Sequence, residues 1–272
     1  MSKRKQLREM DEMEEQAIFA GRDPTQVALD YFFAEAMISE ILYSVKSGKE
    51  ASVYCCRAHP STGVELLAAK IYHPRNRRNF KNDAVYQEGR VIGNGQVRRA
   101  VENKSRFGRE VMFGMWVHHE FATLTALSAA GADVPRPLAH TENVILMEYF
   151  GDWEQAAPSL GGSALTQEQA RAVFDLLMDN IELWLKHNYV HGDLSPYNIL
   201  YWQGQAKVID FPQAVDPRTN WNAFTLLVRD IENICRHMER YDLIYDGRRI
   251  AERLWHRFRN GELYDSPIFQ LP

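Results

Sequence analysis

The chain has no stretch approaching the roughly 18 consecutive apolar residues that a membrane-spanning helix needs, so no span is expected. Its first residues, Met1 to Gln16, are mixed in charge and lack an apolar run, so they do not read as a secretory signal. Cysteine is scarce: Cys55, Cys56 and Cys235 are the three in 272 residues, at no spacing that suits a metal site or a disulfide framework. That usage fits a reducing, cytoplasmic setting. Adjacent Cys55 and Cys56, if on a strand, point to opposite faces. Neither sign of charge dominates, at a net −4, which excludes behaviour as a global polyelectrolyte. No internal repeat is evident. Two glycine fingerprints of nucleotide loops, Gly-x-Gly-x-x-Gly and Gly-x-x-x-x-Gly-Lys-Ser/Thr, are both missing.

What is present concentrates in one segment, His191-Gly192-Asp193-Leu194-Ser195-Pro196-Tyr197-Asn198-Ile199-Leu200, with a second acid in Val208-Ile209-Asp210-Phe211. An Asp, an Asn five residues on and an Asp closing a later apolar run form a kit for phosphoryl transfer. Asp193 would orient the attacking hydroxyl, while Asn198 and Asp210 would hold the ions that bridge the phosphates. Magnesium suits such ligands, because it prefers oxygen and takes only one or two carboxylates from a protein; manganese is the variant. The bland alternative is a polar turn with Asp210 as a strand-end cap. It leaves unexplained why apolar strands, Ile199 to Tyr201 and Ala206 to Ile209, flank both acids at hairpin spacing around Gln203-Gly204-Gln205.

These residues resemble the RIO family of atypical protein kinases, whose catalytic loop also runs Asp-Leu-Ser-x-x-Asn. The metal loop of that family also lacks Asp-Phe-Gly; here Pro212 follows Phe211. The resemblance implies an α+β, two-lobed protein-kinase-like fold, with a small β-rich N-lobe and a truncated, mainly helical C-lobe. It implies ATP and Mg2+ as cofactors, and transfer of the γ-phosphate to serine or threonine hydroxyls, including the protein's own.

It extends upstream. Ser47-Gly48-Lys49-Glu50-Ala51-Ser52-Val53 lies between β-rich runs and resembles the RIO phosphate loop, although a single Gly is a weak signal by itself. Ser47, Gly48, Lys49 and Val53 are the candidate nucleotide contacts there. Lys70, inside the apolar run Leu66 to Tyr72, is the candidate for the α- and β-phosphates; the alternative is a Lys snorkelling from a strand edge. Its partner is expected to be Glu120 on a helix with Trp116, Val117, Phe121, Leu124 and Leu127 at helical spacing; Glu110 is the fallback, and a solvated helix face is the alternative for Glu120. Val144 to Phe150 reads as a strand ending in a connector, with Met147 beside the adenine and Glu148 to Phe150 as the hinge. Ile209 would close the pocket next to Asp210.

Along the chain, residues 1 to 37 form an expected helical extension, charged up to about residue 22, broken at Arg22-Asp23-Pro24-Thr25, with a short helix from Val27 to Ala36. It is too short for the winged-helix domain that some RIO relatives carry. Residues 38–147 are the expected N-lobe, 148–150 the hinge and 151–272 the C-lobe. Segment 75–109 is an insertion with ten Lys or Arg against three acids. It is either a solvated loop or an electrostatic contact, for RNA or a pre-ribosomal particle or for the phosphates of the bound nucleotide. Ser105 within it is a candidate autophosphorylation site. Thr166 to Gln169 is a capping box opening a helix with Val173, Leu176, Leu177, Ile181, Trp184 and Leu185 on one face. Trp221 to Tyr241 is a further helix, in which Asp230 either braces the catalytic loop or forms a surface ion pair. No Ala-Pro-Glu motif follows Asp210. Two other functions compete: an ATPase serving as a switch in small-subunit assembly, with Asp210 itself taking up phosphate, and a small-molecule phosphotransferase.

Overall fold

The computed structural model describes residues 23–73 and 106–263. The charged N-terminus, most of the basic insertion and Ser105 lie outside the described residues. The first element is helix α1 (Pro24–Ala34), started by Asp23, whose side chain accepts the Thr25 N–H at 2.9 Å. The Arg22-to-Thr25 break is therefore this helix's cap. The helix ends earlier than its apolar pattern suggested, because Ala36 turns the chain at φ 49°.

Five strands follow: β1 (Ile38–Ser47), β2 (Ala51–Ala58), β3 (Leu66–Tyr72), β4 (Pro137–His140) and β5 (Val144–Glu148). They form one antiparallel sheet in the order β1-β2-β3-β5-β4, which places β3 at its centre. Strand periodicity then assigns the faces. Leu67, Ala69 and Ile71 pack with Val144, Leu146 and the α1 residues Leu29 and Phe32. Ala68 and Tyr72 join Ile145 and Met147 on the opposite face, in the larger core. Lys70 shares that second face by alternation. Cys55 and Cys56 are both fully buried, on opposite faces.

Helix α2 (Arg106–Ala129) packs against that inner face. Helix α3 (Gln167–Lys186) starts at the capping box: Gln169 N–H donates to Thr166 Oγ1 at 3.2 Å and Thr166 N–H to Gln169 Oε1 at 2.9 Å. It buries Val173, Phe174, Leu177, Ile181, Trp184 and Leu185. A two-stranded sheet follows, β6 (Ile199–Trp202) with β7 (Gln205–Val208). Its turn needs positive φ at both central positions, and Gln203 and Gly204 adopt 48° and 83°. Helices α4 (Ala223–Met238) and α5 (Gly247–Arg259) complete the described chain.

Helix α4 is shorter than the span from Trp221 to Tyr241. Asn220 Oδ1 accepts the Asn222 N–H at 2.8 Å, a side-chain turn that sets the start, and Glu239–Tyr241 tightens into a 3-10 turn. Among the described residues no helix is long and apolar enough to cross a membrane.

Candidate active site

The small sheet and the helical region meet at a cavity of about 610 Å³. Lys70 reaches into it from β3, and its ammonium is fully engaged. It donates to Glu120 Oε1 at 2.8 Å, to Glu120 Oε2 at 3.0 Å and to Asp210 Oδ1 at 2.8 Å. The partner is thus Glu120 rather than Glu110, which lies about 15 Å away along the same helix. A snorkelling edge Lys is also excluded, since β3 is the central strand. Glu120 is only 1% exposed, so it is no solvated face. Burial pushes its carboxyl up in pKa, opposed by the Lys70 charge and by the Phe211 N–H. Burial pulls Lys70 down, but Asp210 and Glu120 outweigh it and hold the ammonium above its ordinary range.

Helix α2 also fixes the loop that carries Asp210. Trp116 Nε1 donates to the Pro212 carbonyl, His119 Nε2 meets Ala214 O at 2.8 Å, and Glu120 Oε1 accepts Phe211 N–H at 3.2 Å. Trp116, His119 and Glu120 stand at i, i+3 and i+4, one helix face. That face was visible in the sequence only as apolar spacing, and the roles of Trp116 and His119 were missed. Asp210 itself adopts φ 73°, a left-handed conformation uncommon for a side-chain-bearing residue and found often at functional turns.

The catalytic loop is braced by the α4 residue Asp230. Its Oδ2 accepts Gly192 N–H at 2.7 Å and its Oδ1 accepts Leu194 N–H at 3.0 Å. Arg229 donates to Gly192 O, and Asn233 Nδ2 to Leu194 O at 3.0 Å. Asp230 is 1% exposed, which removes the surface ion-pair reading. Burial raises its pKa to about 7, against the two N–H bonds that lower it. His191 is equally buried. Asp193 N–H donates to its Nδ1 at 3.2 Å, so its Nε2 carries the proton and meets Ile209 O at 3.1 Å. Burial lowers its pKa to about 4, in keeping with that neutral tautomer.

Asp193 opens to the cleft at the end of this braced loop. Partial desolvation pushes its carboxyl up, with Arg229 opposing and Asp210 and Glu50 adding repulsion. Asn198 Nδ2 donates to Asp193 O at 2.9 Å, which leaves Asn198 Oδ1 as the oxygen available to a cation. Asn198, Asp210 and Lys70 all line the cavity. One carboxylate and one amide oxygen, half-exposed and beside a lysine, suit magnesium that keeps most of its shell as water and phosphate oxygen. No group of three or more His, Cys, Asp or Glu forms a cage among the described residues.

Gly48, Lys49 and Val53 line the cavity from the β1–β2 hairpin, and Met147, Glu148, Phe150 and Ile209 line it as well. Gly48 N–H closes the hairpin turn onto Ala51 O at 2.9 Å. Ser47 does not line the cavity. Its Oγ bonds Ser52 Oγ at 3.1 Å and so ties the base of the hairpin. Asp193 likewise does not line the cavity. The Glu148 carboxylate turns to Lys207 Nζ at 3.1 Å and to Arg136 N–H at 3.1 Å, joining β5 to β7 across the cleft. Tyr149 was not singled out in the sequence; its hydroxyl meets Tyr43 OH at 2.7 Å and braces the connector against β1.

A sheet-borne lysine paired to a helix glutamate, with a braced Asp–Asn loop and a second Asp facing it, defines the protein-kinase-like class. Comparison with known proteins places the chain within it. The family model described as RIO domain matches residues 52–248. The RIO-type serine/threonine-protein kinase Rio1 of Haloferax volcanii is 30% identical over 256 residues, covering 92% of this chain and 80% of that protein. The serine/threonine-protein kinase RIO1 of Chaetomium thermophilum is 31% identical over 208 residues, covering 73% of this chain but 39% of its own length. A solved structure of Rio2 kinase from Chaetomium thermophilum, an ADP/Mg2+-phosphoaspartate complex, shares the fold with a TM-score of 0.59 at 21% identity, covering 88% of this chain and 70% of that one. The chain belongs to the RIO domain family, and within it to the Rio1 type.

Proposed function

We propose that the protein is a Mg-ATP-dependent serine/threonine protein kinase of RIO type. The observation that carries this reading is Lys70, held between Glu120 and Asp210 in a cavity whose other wall presents Asn198. Lys70 contacts the phosphates, the hinge at 148–150 offers backbone groups to the base, and Asp193 orients the acceptor hydroxyl. Magnesium, held by Asn198 and Asp210, would neutralise charge on the phosphates. The protein's residues supply positioning: Asp230 fixes the loop, and α2 fixes the Asp210 turn. The test is transfer from γ-labelled ATP by the wild type, Asp193→Ala and Asp210→Ala. Acid-stable label on serine or threonine, lost in both variants while ATP binding persists in Asp193→Ala, supports the reading. Transfer surviving in Asp193→Ala overturns the role of Asp193.

A second reading is an ATPase in which Asp210 takes up the phosphate. It is supported by the short path from Asp210 to α4, which starts at Ala223 and leaves little room for a peptide platform. The phosphoaspartate in the Rio2 structure agrees with it. Alkali-labile label with free phosphate would favour it over the first reading. Either enzyme would work in the cytoplasm. A role in small-subunit assembly, with RNA held by the basic segment 75–109 and Ser105 modified in cis, is tested by RNA-stimulated turnover. A small-molecule acceptor is the least supported reading.

A further inference from the structure

One wall of the cleft carries an aromatic ring that the catalytic kit leaves unused. Tyr197 precedes Asn198 in the 3-10 turn Pro196–Asn198 and is 66% exposed, yet it lines the cavity. Part of the ring rests on Gly161. A Cβ added at Gly161 would lie 3.0 Å from Tyr197 Cε1 and 3.1 Å from Cδ1, so the approach depends on glycine. Gly161 belongs to the turn Leu160–Gly162 that follows the hinge. That segment is stitched to β6, since Tyr201 N–H donates to Pro158 O at 2.9 Å and Ser159 pairs with Leu200. The ring is thereby supported by backbone from one side and open to the cleft on the other. A side chain held this way loses little further entropy on meeting a ligand.

Its place along the cavity says which part of a ligand it meets. The hinge residues Met147 to Phe150 and the pair Lys70 and Asp210 line the same cavity, and Lys70 pairs with Ile145, two residues before Met147 along β5. Pro158 and Ser159, which follow the hinge in sequence, are joined to Tyr201 and Leu200, and β6 leads back from Leu200 to Asn198 with Tyr197 beside it. In a nucleotide stretched from hinge to lysine, the part between the base and the phosphates is the sugar. We propose that Tyr197 is a positioning residue for the nucleotide, its ring packing against the sugar while Gly161 supports the ring from behind. This rests on the cleft being the ATP site.

The experiment is direct binding of Mg-ATP and Mg-ADP to the full chain, by calorimetry, for wild type, Tyr197→Ala, Tyr197→Phe and Gly161→Ala. Tyr197→Ala is expected to weaken both nucleotides by the same factor, about tenfold, the size of one aromatic contact. Tyr197→Phe recovers the affinity, because the ring and not the hydroxyl makes the contact. Gly161→Ala weakens both in the same sense and adds nothing in the Tyr197→Ala background. In turnover the loss falls on KM for ATP rather than on kcat. Equal affinity in Tyr197→Ala and wild type overturns the inference. So does a loss confined to ATP, or one that Tyr197→Phe fails to recover. A wild type that binds neither nucleotide removes the ATP reading itself and this inference with it. That result is distinct from a wild type that binds both while Tyr197→Ala matches it.

Discussion

Glu120 accepts the backbone N–H of Phe211 at 3.2 Å through Oε1, the same oxygen that takes the Lys70 ammonium at 2.8 Å. One carboxylate therefore joins the central strand to the loop that presents Asp210. Removing it leaves a buried ammonium with Asp210 as its remaining close carboxylate among the described residues, and a buried N–H with no acceptor. Glu120→Ala is expected to cost about 3–5 kcal/mol in urea unfolding, the range for breaking one side of a buried ion pair. Phosphoryl transfer should fall by about 100-fold or more, because Lys70 loses the anchor that holds it from α2 and its proposed phosphate contact is mispositioned. Glu120→Gln keeps an acceptor for Phe211 and should lose less stability than Glu120→Ala. Equal losses in the two would show that the Phe211 bond contributes nothing.

Asp230 bonds two catalytic-loop amides with its two oxygens. An amide side chain has one acceptor oxygen, so Asp230→Asn sets an NH2 against a backbone N–H. A cost of about 1–3 kcal/mol is expected from the buried donor left without a partner. Since the loop carries Asp193, kcat should fall more than KM for ATP rises. A variant with wild-type kcat would mean the loop holds its shape without this brace.

The pH dependence of stability carries a signature of His191. Its folded pKa of about 4 lies below its ordinary 6.5, so the folded state binds fewer protons between those values. The stability it contributes is present above pH 6.5 and is lost as pH falls towards 4, to a limit of about 3 kcal/mol. Asp230, raised to about 7, acts in the opposite sense: its contribution is present below its ordinary range and is lost as pH rises through 7. The two partly cancel in the wild type. His191→Gln removes one of them, so the difference in urea midpoint between variant and wild type should change across pH 4 to 6.5. A constant difference over that window would contradict a neutral, buried His191.

Magnesium dependence tests the oxygen pair. Asn198 holds its amide by donating to Asp193 O, and Asn198→Ala removes both that bond and the oxygen proposed to meet the metal. The magnesium concentration for half-maximal turnover should rise about tenfold or more. Chelation with EDTA should abolish transfer in every variant. Unchanged magnesium dependence in Asn198→Ala would remove Asn198 from the proposed metal ligands.

That Asn198 and Asp210 come together was legible in the sequence, because a hairpin carries its flanking residues to one end. Lys70 was legible as one charge in a run of buried residues. Other features were not. The cap at Asp23 reads in the sequence as a break, since Pro and Asp mark both. Ser47 looked like part of a phosphate loop but bonds Ser52 at the hairpin's base. Asp230 left two readings open, and burial on α4 decided between them.

The sequence by itself determined the chemical inventory and the local elements: strand alternation on β3, the Thr166–Gln169 cap, and the positive-φ turn at Gln203-Gly204. These depend on side-chain type and short-range backbone geometry, which a linear pattern records. Only the tertiary structure decided which distant groups meet. Lys70 and Asp210 are 140 residues apart, Gly192 and Asp230 are 38 apart, and Trp116 reaches Pro212 across 96. Nothing local fixes such pairs. They form because the sheet, α2 and α4 each bury one apolar face, which brings the polar groups on those elements within reach of one another.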